Sequence, residues 1–256
     1  MRIYRKFAFA VLIAAFVLGM TSCSDDEDSV TIGGNSEMPQ NEVGAKYEFG
    51  LKLPGSFDYK NGETYSADSK VVAHENGITT VRTSVGFTGS AFLRLDTMLG
   101  TYKLSLGEKL VWMEKMRQRY GFTVDTLDKG NQAVTVDIRA KITDQGIAHY
   151  VNGTEDLFTL VKYNSNVGDK YEYTASDGVK YTRTVVAKDE KESYEIVFWK
   201  IKVMTIEETF DDPLIEKITY LANHQYGLVA ATMTMKTGET VGIDITPWAT
   251  VHDLND

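Results

Sequence analysis

Histidine and cysteine are the residue types that most often ligate a metal or attack a substrate, and this chain has four histidines and one cysteine. The histidines are scattered, at positions His74, His149, His224 and His252. None shows HxH, HExxH or Cys-His spacing, so a metal centre would have to assemble from distant parts of the chain. The sequence also lacks a G-x-S-x-G elbow and a P-loop. Because these motifs are missing, the sequence predicts no metal site, no cofactor and no catalytic residue.

Paired carboxylates are a second source of chemistry, because glycosidases use two of them about 5–9.5 Å apart. The densest pairs are Glu207-Glu208 and Asp211-Asp212. Adjacent residues of a strand point to opposite faces, so Glu207 and Glu208 cannot share a pocket if that segment is extended. The aspartates precede Pro213, where the chain turns, and an exposed loop or a weak calcium site explains them equally well.

The single cysteine, Cys23, follows a cationic start, an apolar run at residues 7–18 and the small residues Thr21 and Ser22. A run of twelve residues is shorter than the about 20 that span a bilayer, and it is typical of a secretory signal peptide. The whole order resembles a bacterial lipoprotein signal. That resemblance implies that Cys23 becomes the first mature residue and carries acyl chains. A plain signal peptide cleaved nearby is the alternative, although it would leave a reactive thiol exposed.

An acidic run follows the cysteine at once, and its residues are Ser24, Asp25, Asp26, Glu27 and Asp28. The simplest interpretation is a solvated spacer. The run is also similar to the surface-export signal of Bacteroidota lipoproteins. This resemblance implies an outer-membrane protein that faces the cell exterior and contacts the membrane through its acyl chains, since two or more chains hold a protein stably.

Charge and composition exclude one class of partner. Asp+Glu number 36 against 27 Lys+Arg, and the sequence pI is near 5.0, so the chain has no electrostatic footprint for nucleic acid.

Residues 24–44 are polar, contain Gly33, Gly34 and Pro39, and lack an apolar period. We therefore expect a signal peptide at residues 1–22 and a lipidated flexible tether at residues 23–44.

The alternating segments and turn signals of residues 45–256 predict a mainly β domain of antiparallel sheets, either a sandwich or a half-barrel. The sequence predicts one hairpin from Lys170–Thr174 to 179–187 across Asp177-Gly178, and another from 229–235 to 240–245 across Thr237-Gly238. A period of two over residues 194–205 predicts one further strand. On the strand after it, Val229, Ala231, Met233 and Met235 should share one face.

One segment has helical rather than strand spacing. Ser105 and Glu108 fit a capping box, and apolar residues recur at helical intervals before Gly121. We therefore expect one amphipathic helix at residues 107–120. Trp112 lies to one side of its apolar stripe, so this residue, like Trp248, belongs either to the core or to an exposed ligand surface.

A single domain is the expectation, because no Pro-rich linker divides residues 45–256; two lobes at 45–150 and 155–256 are the alternative. The segments 167–173 (VGDKYEY) and 226–229 (YGLV) resemble the C-terminal half of uncharacterised Bacteroidota lipoproteins. There, the first pattern opens a sheet and the second closes it. This resemblance implies a fold and no activity.

The anchor, the β architecture and the lack of a reactive constellation favour a non-catalytic binding or accessory lipoprotein. Its partner would be a glycan, a peptide or a neighbouring outer-membrane protein. One alternative is a carrier of a hydrophobic ligand, in which a half-barrel wraps the helix around an apolar cavity. A polysaccharide-acting hydrolase is a lesser alternative, and it rests only on the excess of acids and the expected location.

Overall fold

Short alternating segments fold into β-strands along most of the chain. The computed structural model describes residues 32–52, 67–86, 102–105, 107–108, 111–112, 114, 133–150, 157–175, 178–196 and 199–247. Within them, a 3₁₀ helix at Pro39–Asn41 precedes fourteen strands. The strands are β1 (Lys46–Lys52), β2 (Ala67–Glu75), β3 (Ile78–Gly86), β4 (Ala133–Thr143), β5 (Gly146–Tyr150), β6 (Leu157–Lys162), β7 (Lys170–Thr174), β8 (Lys180–Lys188), β9 (Tyr194–Ile196), β10 (Trp199–Ile201), β11 (Met204–Phe210), β12 (Ile215–Asn223), β13 (Gly227–Met235) and β14 (Thr240–Pro247). In these described parts of the chain, no helix is long and apolar enough to cross a membrane.

Twelve of the strands form one antiparallel sheet in the order β6-β5-β4-β3-β2-β1-β14-β13-β12-β11-β8-β7. The first and last strands of the sequence, β1 and β14, pair with each other in the middle of this order, with Tyr47 opposite Pro247. The outer strands β6 and β7 are consecutive in sequence and touch, so the sheet is a nearly closed, barrel-like structure. The mainly β, antiparallel fold class is confirmed, and strands from both halves of the chain belong to this one sheet.

The two ends of the barrel differ in what covers them. We call the end with the connections β4–β5, β6–β7 and β12–β13 the base, and the opposite end the rim. At the base, the Asn41 side chain donates to the carbonyl of Ile142 at 2.9 Å, and the Gln40 side chain donates to that of Gln225 at 3.0 Å. Ile32 is buried in the same region. The segment before β1 therefore packs across the base.

This packing changes the prediction for the tether. A flexible tether was expected over residues 23–44, but residues 32–44 carry buried side chains and hydrogen bonds to the barrel. The difference arises because buried Gln and Asn side chains can satisfy backbone carbonyls at the end of a sheet, an interaction without a periodic pattern. Residues 23–31 lie outside the described residues.

Both predicted hairpins are confirmed. Strands β7 and β8 pair from Lys170 opposite Thr184 to Thr174 opposite Lys180, and Gly178 in their turn has φ of +82°. Strands β13 and β14 pair with Thr234 opposite Thr240. Gly238 in that turn has φ of +93°, a conformation that glycine adopts without a steric penalty.

The single strand predicted over residues 194–205 is wrong. The segment contains β9 and β10, which pair as a separate two-stranded sheet with Trp199 opposite Ile196, and β11 begins only at Met204. This small sheet packs on the outer face of the barrel, where Tyr194 donates to Asp244 Oδ1 at 2.9 Å. A period of two is shared by one long strand and by two short strands, so the sequence did not separate these arrangements.

The predicted face on β13 is correct in part. Ala231, Met233 and Met235 lie in the main core. The register shifts where Leu221 and Ala222 of β12 pair with Ala230 and Leu228 of β13, which makes Val229 the extra residue of a bulge in β13. Leu228 therefore joins that core, and Val229 joins the cluster under the β9–β10 sheet. A bulge places two residues opposite one and reverses the alternation beyond it.

The predicted helix is described at only some of its positions. Residues 107, 108, 111, 112 and 114 have helical backbone, and the rest of 107–120 lies outside the described residues. Its capping box is present: Ser105 N donates to Glu108 Oε2 at 2.8 Å, and Glu108 N donates to Ser105 Oγ at 3.3 Å. Trp112 is buried and donates to Asp212 Oδ1 at 3.3 Å, so it is a core residue at the rim. Trp248 is not described.

Candidate binding cleft

The residues predicted to carry lipid and export information are not placed by the structure. Cys23, Ser24, Asp25, Asp26, Glu27 and Asp28 all precede Ile32, where the described residues begin. Their roles stay predictions. The structure does show where the chain reaches the barrel, because Ile32 packs at the base.

A cleft of about 720 Å³ lies at the base. Five parts of the barrel line it: the β4–β5 turn, the end of β6, the end of β8, the residues before β11, and the β12–β13 turn. Ile32 and Gly33 close one side of the cleft. Its volume falls in the range of about 300–1,000 Å³ that is usual for sites of small ligands.

Polar side chains within the turns fix the shape of the cleft. Thr143 Oγ1 accepts hydrogen bonds from the backbone of Gln145 at 3.2 Å and of Gly146 at 3.1 Å. Asn223 Oδ1 accepts from Gln225 N at 2.8 Å, and Asn223 Nδ2 donates to Lys202 O at 2.7 Å. Hydroxyl and amide side chains of this kind replace backbone partners in tight turns. The lining of the cleft is thus held before any ligand binds.

Three lysines give the cleft positive charge. Lys188 Nζ donates to the backbone carbonyl of Tyr163 at 2.9 Å, which ties the β6–β7 connection to β8. Lys162 and Lys202 also line the cleft, and neither forms an ion pair with any residue that the structure describes.

Two carboxylates lie in the same cleft, and both already accept hydrogen bonds. Asp144 Oδ1 accepts from Asn35 N at 2.8 Å, and Asp189 accepts from the hydroxyl of Ser193. These bonds hold the two turns from which the carboxylates project. The lining therefore combines three ammonium groups with two carboxylates that serve local structure.

An aromatic pair forms part of the wall. The rings of Tyr163 and His224 meet edge to face, with centroids 6.4 Å apart and an interplanar angle of 78°. Burial raises the pKa of the Tyr163 hydroxyl well above its usual value, with a further contribution from Tyr47. The Tyr163 hydroxyl therefore stays neutral, and His224 is exposed at the mouth of the cleft.

A second polar cluster lies inside the barrel near its seam, the side where β6 and β7 touch without a strand ladder between them. Arg183 and Glu208 face each other on β8 and β11, with Nε and Oε2 2.6 Å apart, and both side chains are completely buried. Arg183 Nη1 donates to the carbonyl of Thr159 on β6 at 2.9 Å. The guanidinium also lies 3.9 Å from the centroid of the Phe158 ring. Arg183 on β8 therefore ties the outer strand β6 to β8 and β11 with side-chain bonds, across the side of the barrel where no strand ladder joins β6 to β7.

His149 completes this cluster. Its Nε2 lies 2.9 Å from Arg183 Nη2. Since a guanidinium only donates, Nε2 accepts and the proton of the neutral ring resides on Nδ1. Burial, and then the charge of Arg183, hold the pKa of His149 well below its usual value. With no exposed surface on His149, Arg183 or Glu208, the cluster supports the fold and is closed to a substrate.

The acid pairs considered as catalytic groups have structural roles. Glu208 lies in the buried cluster, whereas Glu207 Oε1 pairs with Lys217 Nζ at 2.5 Å on the other face, so the predicted opposite orientation is confirmed. Asp212 Oδ1 accepts from the backbone of Leu214 at 2.9 Å and of Ile215 at 3.0 Å. Over the described ranges, no group of three His, Cys, Asp or Glu residues is arranged to hold a metal.

Sequence reasoning missed both the cleft and the seam cluster. The cleft residues come from six short segments spread between Ile32 and His224 and share no local pattern. The cluster did leave a signal, because Arg183 stands between Tyr181 and Val185 at strand spacing, on a face whose other members are apolar. Comparison of the chain with family models, with curated proteins and with solved structures finds no match.

Proposed function

We propose that the protein is a non-catalytic, surface-exposed lipoprotein of the outer membrane that binds its ligand in the base cleft. Acyl chains on Cys23 would attach it to the membrane, and the acidic residues 24–28 would direct its export. Its role would be binding or accessory, toward a glycan, a peptide or a neighbouring outer-membrane protein. The order of charges, apolar run and cysteine in the sequence supports the anchor.

The cleft is the observation that carries the binding role. It is concave, its turns are fixed by their own side chains, and it has charged groups without partners among the described residues. Ile32, which lines it, is only nine residues after Cys23. At most about 3.5 Å per residue, that length reaches about 30 Å. A ligand in this cleft would therefore be held close to the membrane surface.

The interior of the barrel favours the cleft over the carrier alternative. A hydrophobic ligand would need an apolar cavity inside the sheet. The described interior instead contains the buried cluster of Arg183, Glu208 and His149 beside the large side chains of Tyr181 and Tyr220. Charged and bulky groups occupy the space that an acyl or aromatic ligand would need.

The anchor is tested by the intact mass of the full chain expressed in a bacterial host that processes lipoproteins. We expect a mature protein that begins at Cys23 and carries acyl chains, and a Cys23→Ala variant that is neither acylated nor membrane-bound. Protease added to whole cells should degrade the acylated protein. An unmodified thiol on a processed chain, or protection of the protein from external protease, would contradict the proposal.

The binding role is tested by blocking the cleft with a chemical label. Because Cys23 is the only cysteine, a Gln145→Cys variant can be labelled with a bulky maleimide once Cys23 is acylated. We expect the substitution alone to weaken binding to members of a panel of oligosaccharides and peptides, and the label on the introduced cysteine to abolish the binding that the unlabelled variant keeps. A Lys180→Cys variant, labelled at the rim, is the matched control. Equal binding by both labelled variants would place the site elsewhere.

A further inference from the structure

The charges in the base cleft indicate the class of its ligand. Over the whole chain, acids outnumber bases by nine, and several described basic residues elsewhere find acidic partners. Examples are Lys180 with Glu172 at 2.8 Å and Arg82 with Asp137 at 2.6 Å. Lys162 and Lys202 have no such partner within the described ranges. The three lysines of the cleft outnumber its two aspartates, Asp144 and Asp189, so its lining is net positive in a chain of net charge −9, which favours an anionic ligand.

The remaining polar lining suits hydroxyl groups. Gln145 and Asn164 are exposed, and their side-chain amides form no hydrogen bond with any described residue. Each amide has an NH₂ group that donates and an oxygen that accepts hydrogen bonds. It can therefore bond to a sugar hydroxyl, which also donates and accepts. Asn223 differs, because its amide is already used within the β12–β13 turn.

The apolar residues of the cleft offer little surface to a ligand. Ile32, Val203 and Met204 are only 3%, 6% and 5% exposed, so they form the buried floor. A peptide anchored by apolar side chains, or an acyl chain, would need accessible apolar walls. The accessible ring surface is that of the Tyr163 and His224 pair, and amphipathic rings provide contact area for a flat, partly polar ligand at low entropic cost.

From these observations we infer that the base cleft binds an acidic saccharide, a short sugar chain that carries a carboxylate. The carboxylate pairs with Lys162 and Lys202, the sugar hydroxyls bond to Gln145 and Asn164, and a sugar ring packs against the Tyr163 and His224 pair. This inference rests on the proposed function, because it assigns a ligand class to the same cleft.

Calorimetric titration of the full, detergent-solubilised protein tests the inference. The probes are a trimer of galacturonate, a neutral trimer of galactose and a peptide of three glutamates. We expect the galacturonate trimer to bind and the other two to bind at least tenfold more weakly. Raising the salt from 0.05 to 1 M should weaken binding, because the screening length shrinks to about 3 Å.

Single substitutions locate the contact. Lys162→Gln and Lys202→Gln should each weaken galacturonate binding about tenfold, the lower end of what a lost charged hydrogen bond costs. Lys180→Gln at the rim removes a lysine that is exposed, as Lys202 is, and should leave the affinity unchanged. Thermal unfolding of each variant identifies any loss of binding that is due to misfolding.

Each outcome separates the ligand class from the proposed function. Equal binding of the neutral trimer, tighter binding of the glutamate peptide, or unchanged affinity in both cleft variants would overturn the acidic saccharide. If the galacturonate test fails but labelling of Gln145→Cys abolishes the binding of another panel ligand, the cleft is a binding site for a different class of ligand. If no panel member depends on the cleft, both proposals fail.

Discussion

The buried ion pair at the seam gives the sharpest prediction for stability. Glu208→Gln keeps the size of the side chain and removes its charge, which leaves the guanidinium of Arg183 completely buried with only neutral partners. Breaking a buried pair in this way costs about 3–5 kcal/mol, because one charge stays in a region without water. For a domain of this size, that corresponds to a fall in Tm of about 6–20 °C.

The adjacent residue supplies the control. Glu207→Gln breaks the half-exposed pair with Lys217 and should cost less than about 1 kcal/mol. Urea unfolding at pH 7, followed by circular dichroism, gives both free energies of unfolding. Replacing both partners, with Arg183→Met and Glu208→Leu, should recover most of the loss, since an apolar pair of similar volume is often as stable. Equal effects of the two single Gln variants would show that burial adds nothing to the cost of breaking the Arg183–Glu208 pair.

Three further predictions concern the buried seam cluster, the base and the rim. The unfolded chain protonates a histidine near pH 6.5, whereas folded His149 stays neutral. Between pH 7.5 and 5, the free energy of unfolding of the wild type, measured by urea unfolding, should therefore fall by about 2 kcal/mol more than that of His149→Gln. His224→Gln should behave as the wild type. Gly146→Ala should lower the free energy of unfolding by about 1–3 kcal/mol, because its Cβ would lie 2.4 Å from a β6 carbonyl; an unchanged Tm would contradict this. Asp212→Ala should cost about 1–3 kcal/mol for each buried donor it orphans, whereas the exposed Asp211→Ala should stay within about 0.5 kcal/mol in the same assay.

Local signals in the sequence predicted the local structure. The turn glycines located both hairpins, the capping box located the bonds between Ser105 and Glu108, and strand alternation placed Glu207 and Glu208 on opposite faces. Each of these features depends on residues within a few positions of each other. Backbone preference and side-chain period decide such features before tertiary contacts form.

Features that depend on pairing between distant strands could not be predicted in the same way. The bulge beside Leu221 is visible only when β12 meets β13, and it exchanges the faces of Leu228 and Val229. The division of residues 194–205 into β9, β10 and the start of β11 depends on the outer face of the barrel, on which β9 and β10 pack. Local periodicity carries no information about either partner.

The candidate site was the least predictable part. Gln145, Lys162, Lys188, Lys202 and His224 each look like ordinary polar loop residues in the sequence. Only the closure of the sheet, which brings β5 and β6 next to β8, β11 and β12, places them around one cleft. The predicted roles of Cys23 and the acidic run are independent of that closure.

Hydrogen–deuterium exchange of the full protein with and without the galacturonate trimer shows whether an acidic saccharide binds at the base of the barrel. We expect slower exchange in peptides that contain the base connections, residues 143–146, 163–169 and 223–227, and no change at the rim connections 211–214 and 236–239. Protection confined to the rim, or none anywhere at a saturating concentration of the trimer, would contradict this expectation.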